Sequence, residues 1–125
     1  MLGRRLLATT GHGGGPWLER LALRSQGKVV LVQVRAIDWI DALGGKTRVN
    51  AAGQSHLASQ PIGALAERLP PETFLRIHRS TIVNVERIRE LQTTAHGDLV
   101  LVLAGRRRLA VGRSYRDEVH RRLEG

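Results

Sequence analysis

Residues 74–84 read FLRIHRSTIVN, from Phe74 to Asn84. Apolar and β-branched residues on both sides predict two short strands. Between them sits a polar knot, His78-Arg79-Ser80. A catalytic group, a metal ligand set and a contact surface would each use such residues. His78 and Ser80 are two apart, so on a regular strand they share a face, as a base and a nucleophile would. The sequence has no G-x-S-x-G elbow, and its acids fall mostly in predicted turns and helix caps, so a hydrolase is disfavoured. His12, His56, His78, His96 and His120 are scattered without H-x-x-x-H spacing, and there is no cysteine, so neither a metal site nor disulfide or thiolate chemistry is expected. Gly11 to Gly15 lacks the G-K-[ST] ending of a phosphate loop. The residues thus predict no enzyme and no cofactor. His78 also fits a half-buried ring bonded to nearby backbone, and Arg79 fits a solvated surface residue. As a contact surface the knot is richer: arginine forks onto guanine O6 and N7 or onto phosphate, and a serine hydroxyl donates to phosphate.

Charge favours the contact surface. The 125 residues carry 20 Lys and Arg against 11 Asp and Glu, a net charge of +9. Of the basic residues 18 are Arg, which a GC-rich genome partly explains, but codon bias leaves the excess over acids unexplained. Residues 1–28 carry net +4, residues 29–73 are neutral, and residues 74–125 carry net +5. A neutral middle flanked by positive ends points to a polyanion partner. Aromatics make up only 3% of the chain and fit core positions. Readers of single strands and RNA stack bases on exposed aromatics, so duplex DNA is the better target. No apolar run approaches a membrane span and no signal peptide is apparent, so the chain is expected in the cytoplasm.

The remaining chain predicts a mainly β, β-rich α+β fold. Residues 1–16, with the run Gly-His-Gly-Gly-Gly, read as a flexible linker or N-terminal extension. The domain is expected over 17–125. Leu18 to Leu23 and Val29 to Val34 form a hairpin around Ser25-Gln26-Gly27, and Thr47 to Asn50 pairs with Ser55 to Ala58. Ile62, Leu65, Ala66 and Leu69 mark one face of a short mid-chain helix, with Ser59-Gln60-Pro61 as its cap and Pro70-Pro71 as its stop. Leu99 to Leu103 reads as a strand buried on both faces, followed by a turn at Ala104-Gly105-Arg106 and a returning strand. Tyr115, Val119 and Leu123 share one face of a C-terminal helix, with Ser114-x-x-Asp117 as its capping box. A helix-turn-helix is disfavoured, since it needs more consecutive helices.

Two further segments suit a polyanion. Gly112-Arg113-Ser114-Tyr115-Arg116 spans a strand-to-helix junction, where free N–H groups favour phosphate. Gly44-Gly45-Lys46-Thr47-Arg48 is a loop whose glycines allow close approach and whose Lys46 and Arg48 supply charge.

The string Arg76-Ile77-His78-Arg79-Ser80-x-x-Val83-Asn84 resembles the signature of LytTR DNA-binding domains. Ile37-Asp38-Trp39-Ile40-Asp41, the helix through Leu65 to Leu69, Gly97, Gly105 and Val111-Gly112-Arg113-Ser114-Tyr115 agree in order. The likeness runs from about Leu18 to Leu123. It implies several small antiparallel sheets with a short helix, and DNA read by loops that enter successive major grooves on one side of a bent duplex. By position it implies contacts from Lys46 and Thr47 in the first loop, with Arg48 adding charge. The second loop supplies His78, Arg79 and Ser80, and the third Arg113, Ser114 and Arg116. Arg79 and Arg113 are expected on bases, and Ser80, Ser114 and Arg116 on phosphates. Two departures stand out: family members often carry Ser where Gly112 stands, and the first loop here is rich in glycine. The resemblance further implies a bacterial transcription regulator, commonly the output domain of a two-component response regulator, on paired direct repeats and as a possible dimer there. No receiver domain is present in these 125 residues. The competing expectation is a protein-interaction module, or an antagonist of a related regulator, that kept the fold without binding DNA.

Overall fold

The computed structural model describes residues 19–124. The extension expected over 1–16 lies outside the described residues. The strand patterns form three small antiparallel sheets, accompanied by two helices. β1 (Arg20–Ser25) and β2 (Lys28–Gln33) make a two-stranded hairpin. The central sheet holds β3 (Ile37–Leu43), β4 (Lys46–Ala51), β5 (Gln54–Ala58), β6 (Phe74–His78) and β7 (Thr81–Asn84), in the order β5-β4-β3-β7-β6. The third sheet is β10-β9-β8, from β8 (Ile88–Thr93), β9 (Leu99–Leu103) and β10 (Arg108–Ala110). α1 (Ile62–Ala66) follows β5, and α2 (Arg116–Glu124) ends the described chain.

The near-continuous apolar flanks of residues 74–84 have a direct cause: the central sheet has a core on each face. Successive side chains of a strand point to opposite faces. Phe74 and Ile82 pack into one core with Leu21, Leu23, Ile40, Val49, Leu65 and Leu69. Leu75, Ile77 and Val83 pack into the other with Leu99, Leu101, Leu103, Leu109 and Val119. Burying one such side chain contributes about 1.5–3 kcal/mol. Asn84 ends β7 almost fully buried. Its Nδ2 donates to the Ile37 carbonyl (2.9 Å), and its Oδ1 accepts from the Glu86 amide (2.9 Å), capping a single 3-10 turn.

The helical face of Ile62, Leu65, Ala66 and Leu69 lies in the first core, as its spacing predicts. Its start differs from expectation. Pro61 occupies the cap position and no side chain caps the helix. Ser59 and Gln60 serve β1 instead. Gln60 Nε2 donates to the Ala22 carbonyl (2.8 Å), its Oε1 accepts from the Arg24 amide (3.1 Å), and the Ser59 amide donates to the Arg24 carbonyl (2.9 Å). β9 differs too. Leu99, Leu101 and Leu103 are buried on one face, while Val100 and Val102 on the other are half-buried among the described residues. Tyr115, Val119 and Leu123 close the second core from α2, matching their four-residue spacing.

Candidate nucleic-acid interface

One end of the central sheet gathers the three segments singled out in the sequence. Leu43 pairs with Lys46, so Gly44-Gly45 alone makes the β3–β4 turn. Both glycines are left-handed (φ 59° and 82°), as a two-residue turn that follows strand twist requires. Asp41 pairs with Thr81, and the Ala42 amide donates to the Ser80 carbonyl (2.9 Å), so the β6–β7 turn lies beside the first. The Gly112 amide donates to the Ile77 carbonyl (2.7 Å), which brings the third segment against the end of β6. Gly112 has an ordinary φ, and its role is space. A Cβ there would sit 3.3 Å from His78 Cδ2 and 3.2 Å from Tyr115 Cδ2.

Each segment exposes one basic side chain: Lys46, Arg79 and Arg113. None of the three is in an ion pair among the described residues. The other sequence candidates are placed differently. Thr47 is buried at 3% exposure, and its hydroxyl donates to the Gln60 carbonyl (2.7 Å), fastening β4 to the segment before α1. Arg48 forks onto Asp41, Nη2 to Oδ2 at 2.6 Å and Nε to Oδ1 at 3.0 Å. That hydrogen-bonded carboxylate, and then its charge, raise the Arg48 pKa above its ordinary value. His78 and Ser80 face each other: Nδ1 accepts from the Ser80 amide (3.1 Å) and lies 2.9 Å from Ser80 Oγ. An accepting Nδ1 puts the proton of the neutral ring on Nε2.

Ser114 is exposed within a 3-10 turn, Arg113–Tyr115, that precedes α2; Gly112 holds the cap position of that turn, without a side-chain bond. The expected capping box is therefore not formed at Ser114. Arg116 donates through Nη2 to the Gly97 carbonyl and so ties the β8–β9 turn to the start of α2.

Three side chains that shape this end escaped the sequence reading. Arg76 donates from Nε to the His78 carbonyl (2.9 Å) and from Nη2 to the Arg79 carbonyl. Asp41 neutralises Arg48, and Gln60 supports β1 with its side chain and accepts from Thr47 with its backbone carbonyl. The available signal was a charged residue, Arg76, on the strand face that Phe74 occupies, ahead of the register shift before His78.

This end of the sheet thus projects turns whose Lys46, Arg79 and Arg113 have no ion-pair partner among the described residues. The chain belongs to the LytTr DNA-binding domain family, whose profile matches residues 27–124. Its structure is similar to a solved LytTr DNA-binding domain from Bacillus cereus, with a TM-score of 0.76 and 25% identity, over 86% of this chain and 99% of that one. In sequence it is similar to the sensory transduction protein LytT of Bacillus anthracis, at 27% identity over 106 residues, 85% of this chain and 43% of that protein. The transcriptional regulatory protein LytR of Staphylococcus aureus strain N315 is 27% identical over 97 residues, 78% of this chain and 39% of that protein. The chain thus spans less than half the length of these curated relatives. The family is a DNA-binding one and not an enzyme class. Among the described residues no helix is long and apolar enough to cross a membrane, and no group of three His, Cys, Asp or Glu could hold a metal ion.

Proposed function

We propose that this chain is the DNA-reading part of a bacterial transcription regulator. The observation that carries the reading is the row of Lys46, Arg79 and Arg113, exposed and without ion-pair partners among the described residues, on three adjoining segments at one sheet end. Arg79 and Arg113 contact base edges. Lys46 and the exposed Ser114 reach phosphates, as do the donors that Arg116 does not spend on Gly97. Thr47, Arg48, His78 and Ser80 act from behind this row, by holding its segments. In this reading the chain works in the cytoplasm beside a receiver domain or other signalling partner, on paired direct repeats that two copies occupy together. Names of the relatives, as sensory transduction and transcriptional regulatory proteins, support the regulatory role.

An electrophoretic shift across a salt series tests the reading. Neutralising phosphates releases counterions, so affinity should fall steeply as salt rises. Absence of a shift with any promoter fragment at low salt would overturn it, and would favour a protein-interaction module built on the same fold.

A further inference from the structure

We infer that Arg76 is the positioning residue of the β6–β7 turn: it holds the turn backbone in one shape, so that Arg79 meets DNA preoriented, and does not meet DNA itself. The consequence for DNA rests on the function proposed above; the brace does not.

The turn needs external support. His78 pairs with Thr81, leaving Arg79-Ser80 as a two-residue connection. Neither residue is left-handed, unlike Gly44-Gly45. A turn of that kind does not follow the twist of its strands and tends to splay them. The ladder is also irregular here, since its register shifts between Arg76 and His78.

The guanidinium of Arg76 answers both problems. Its Nε takes the His78 carbonyl at 2.9 Å, and its Nη2 takes the Arg79 carbonyl. A planar fork binds two acceptors at once; an ammonium on a flexible stem has no such geometry. The remaining polar groups close the ring. The Ser80 amide donates to His78 Nδ1 (3.1 Å), and the Ser80 carbonyl accepts from Ala42 (2.9 Å). All three carbonyls from His78 to Ser80, and the Ser80 amide, are therefore satisfied inside the protein. What the turn has left to offer is the Arg79 side chain and its own amide. Ordering them before binding removes an entropy cost that a loose turn would meet on the DNA.

Two measurements test this, one without DNA. In the free protein, hydrogen exchange by NMR should place the Arg76 Nε–H among the protected side-chain protons. In Arg76→Lys the Ser80 and Ala42 amides should exchange at least about tenfold faster, while the core amides of Leu75, Ile77 and Val83 keep their rates. Fast exchange at the wild-type Nε–H overturns the brace with no variant needed, so a failure of Arg76→Lys to fold does not shelter it. On DNA, Arg76→Lys should lower affinity for a preferred site about tenfold and leave the salt dependence unaltered. Full affinity in Arg76→Lys, or a salt slope shallower by about 0.9 in Arg76→Ala, would make Arg76 a phosphate contact and overturn the assignment. If the wild type binds no DNA, the function proposed above fails, and the exchange data alone decide whether the brace exists.

Discussion

At the scale of single residues, neighbours in sequence divide between reaching outward and holding the frame. Lys46 and Thr47 adjoin, yet one is exposed and the other is bonded inward to Gln60. The same division separates Arg79 from Arg76, while Arg116, tied to Gly97 by one donor, does both. Arg79→Ala or Arg113→Ala should each cost about 1–3 kcal/mol of binding and relax the preference for one base pair. Lys46→Ala should weaken all sequences alike and reduce the salt slope by about 0.9. Competition between a preferred and a scrambled duplex, repeated at several salt concentrations, separates the two behaviours. The sequence made the cations legible as a set. It could not divide them, because an arginine that forks onto a carboxylate or carbonyl has the same letter as one that faces solvent. What distinguishes Arg48 is Asp41, its cross-strand partner in the β3–β4 register.

At the scale of elements, two junctions carry predictions. Gly112 lets the third segment approach His78, whose ring is already engaged by Ser80. Gly112→Ala should push His78 or Tyr115 aside by a few tenths of an ångström and destabilise the fold by about 1 kcal/mol. Urea unfolding measures that loss, and the His78 ring protons should shift with it. In α2, Glu118 accepts hydrogen bonds from Arg121 one turn on. Those bonds hold the Glu118 carboxyl below the ordinary carboxylate range. A depressed pKa stabilises the folded state above the ordinary value, and that contribution disappears as the pH falls through the depressed one. In Arg121→Gln the Glu118 carboxyl should titrate at higher pH, read from its 13C shift. Helix and strand positions were legible here because their periods, 3.6 and 2, are written in single residues. The helix starts were not: Ser59 and Ser114 carry the right side chains for caps. Ser59 is drawn to β1, while Ser114 lies within a 3-10 turn whose cap position is Gly112. Such competition depends on contacts distant in sequence.

At the scale of the molecule, the sheet sets how DNA must meet it. The β3–β4 and β6–β7 turns are two strand spacings apart, about 10 Å, and the third segment extends the row to about 17 Å. Successive major grooves on one face of a straight duplex lie about 34 Å apart. Long side chains cover part of the difference, and a duplex curved towards the protein covers more. Binding should therefore bend the DNA, as gel mobility of circularly permuted fragments would register; mobility independent of site position would count against it. The first hairpin, meanwhile, is moored along its free edge by the Ser59-Gln60 segment. On the edge away from β2, β1 has the Gln60 side-chain amide where a third strand would otherwise lie, with Ser59 beside it. In mechanical terms this is a fuse. A pull applied on the N-terminal side of Glu19 loads the bonds of β1 to β2, Ser59 and Gln60 before any strand of the central sheet. Its yield point is set by Leu21, Leu23, Val32 and Val34, which the same pull must draw out of the first core before the hairpin peels.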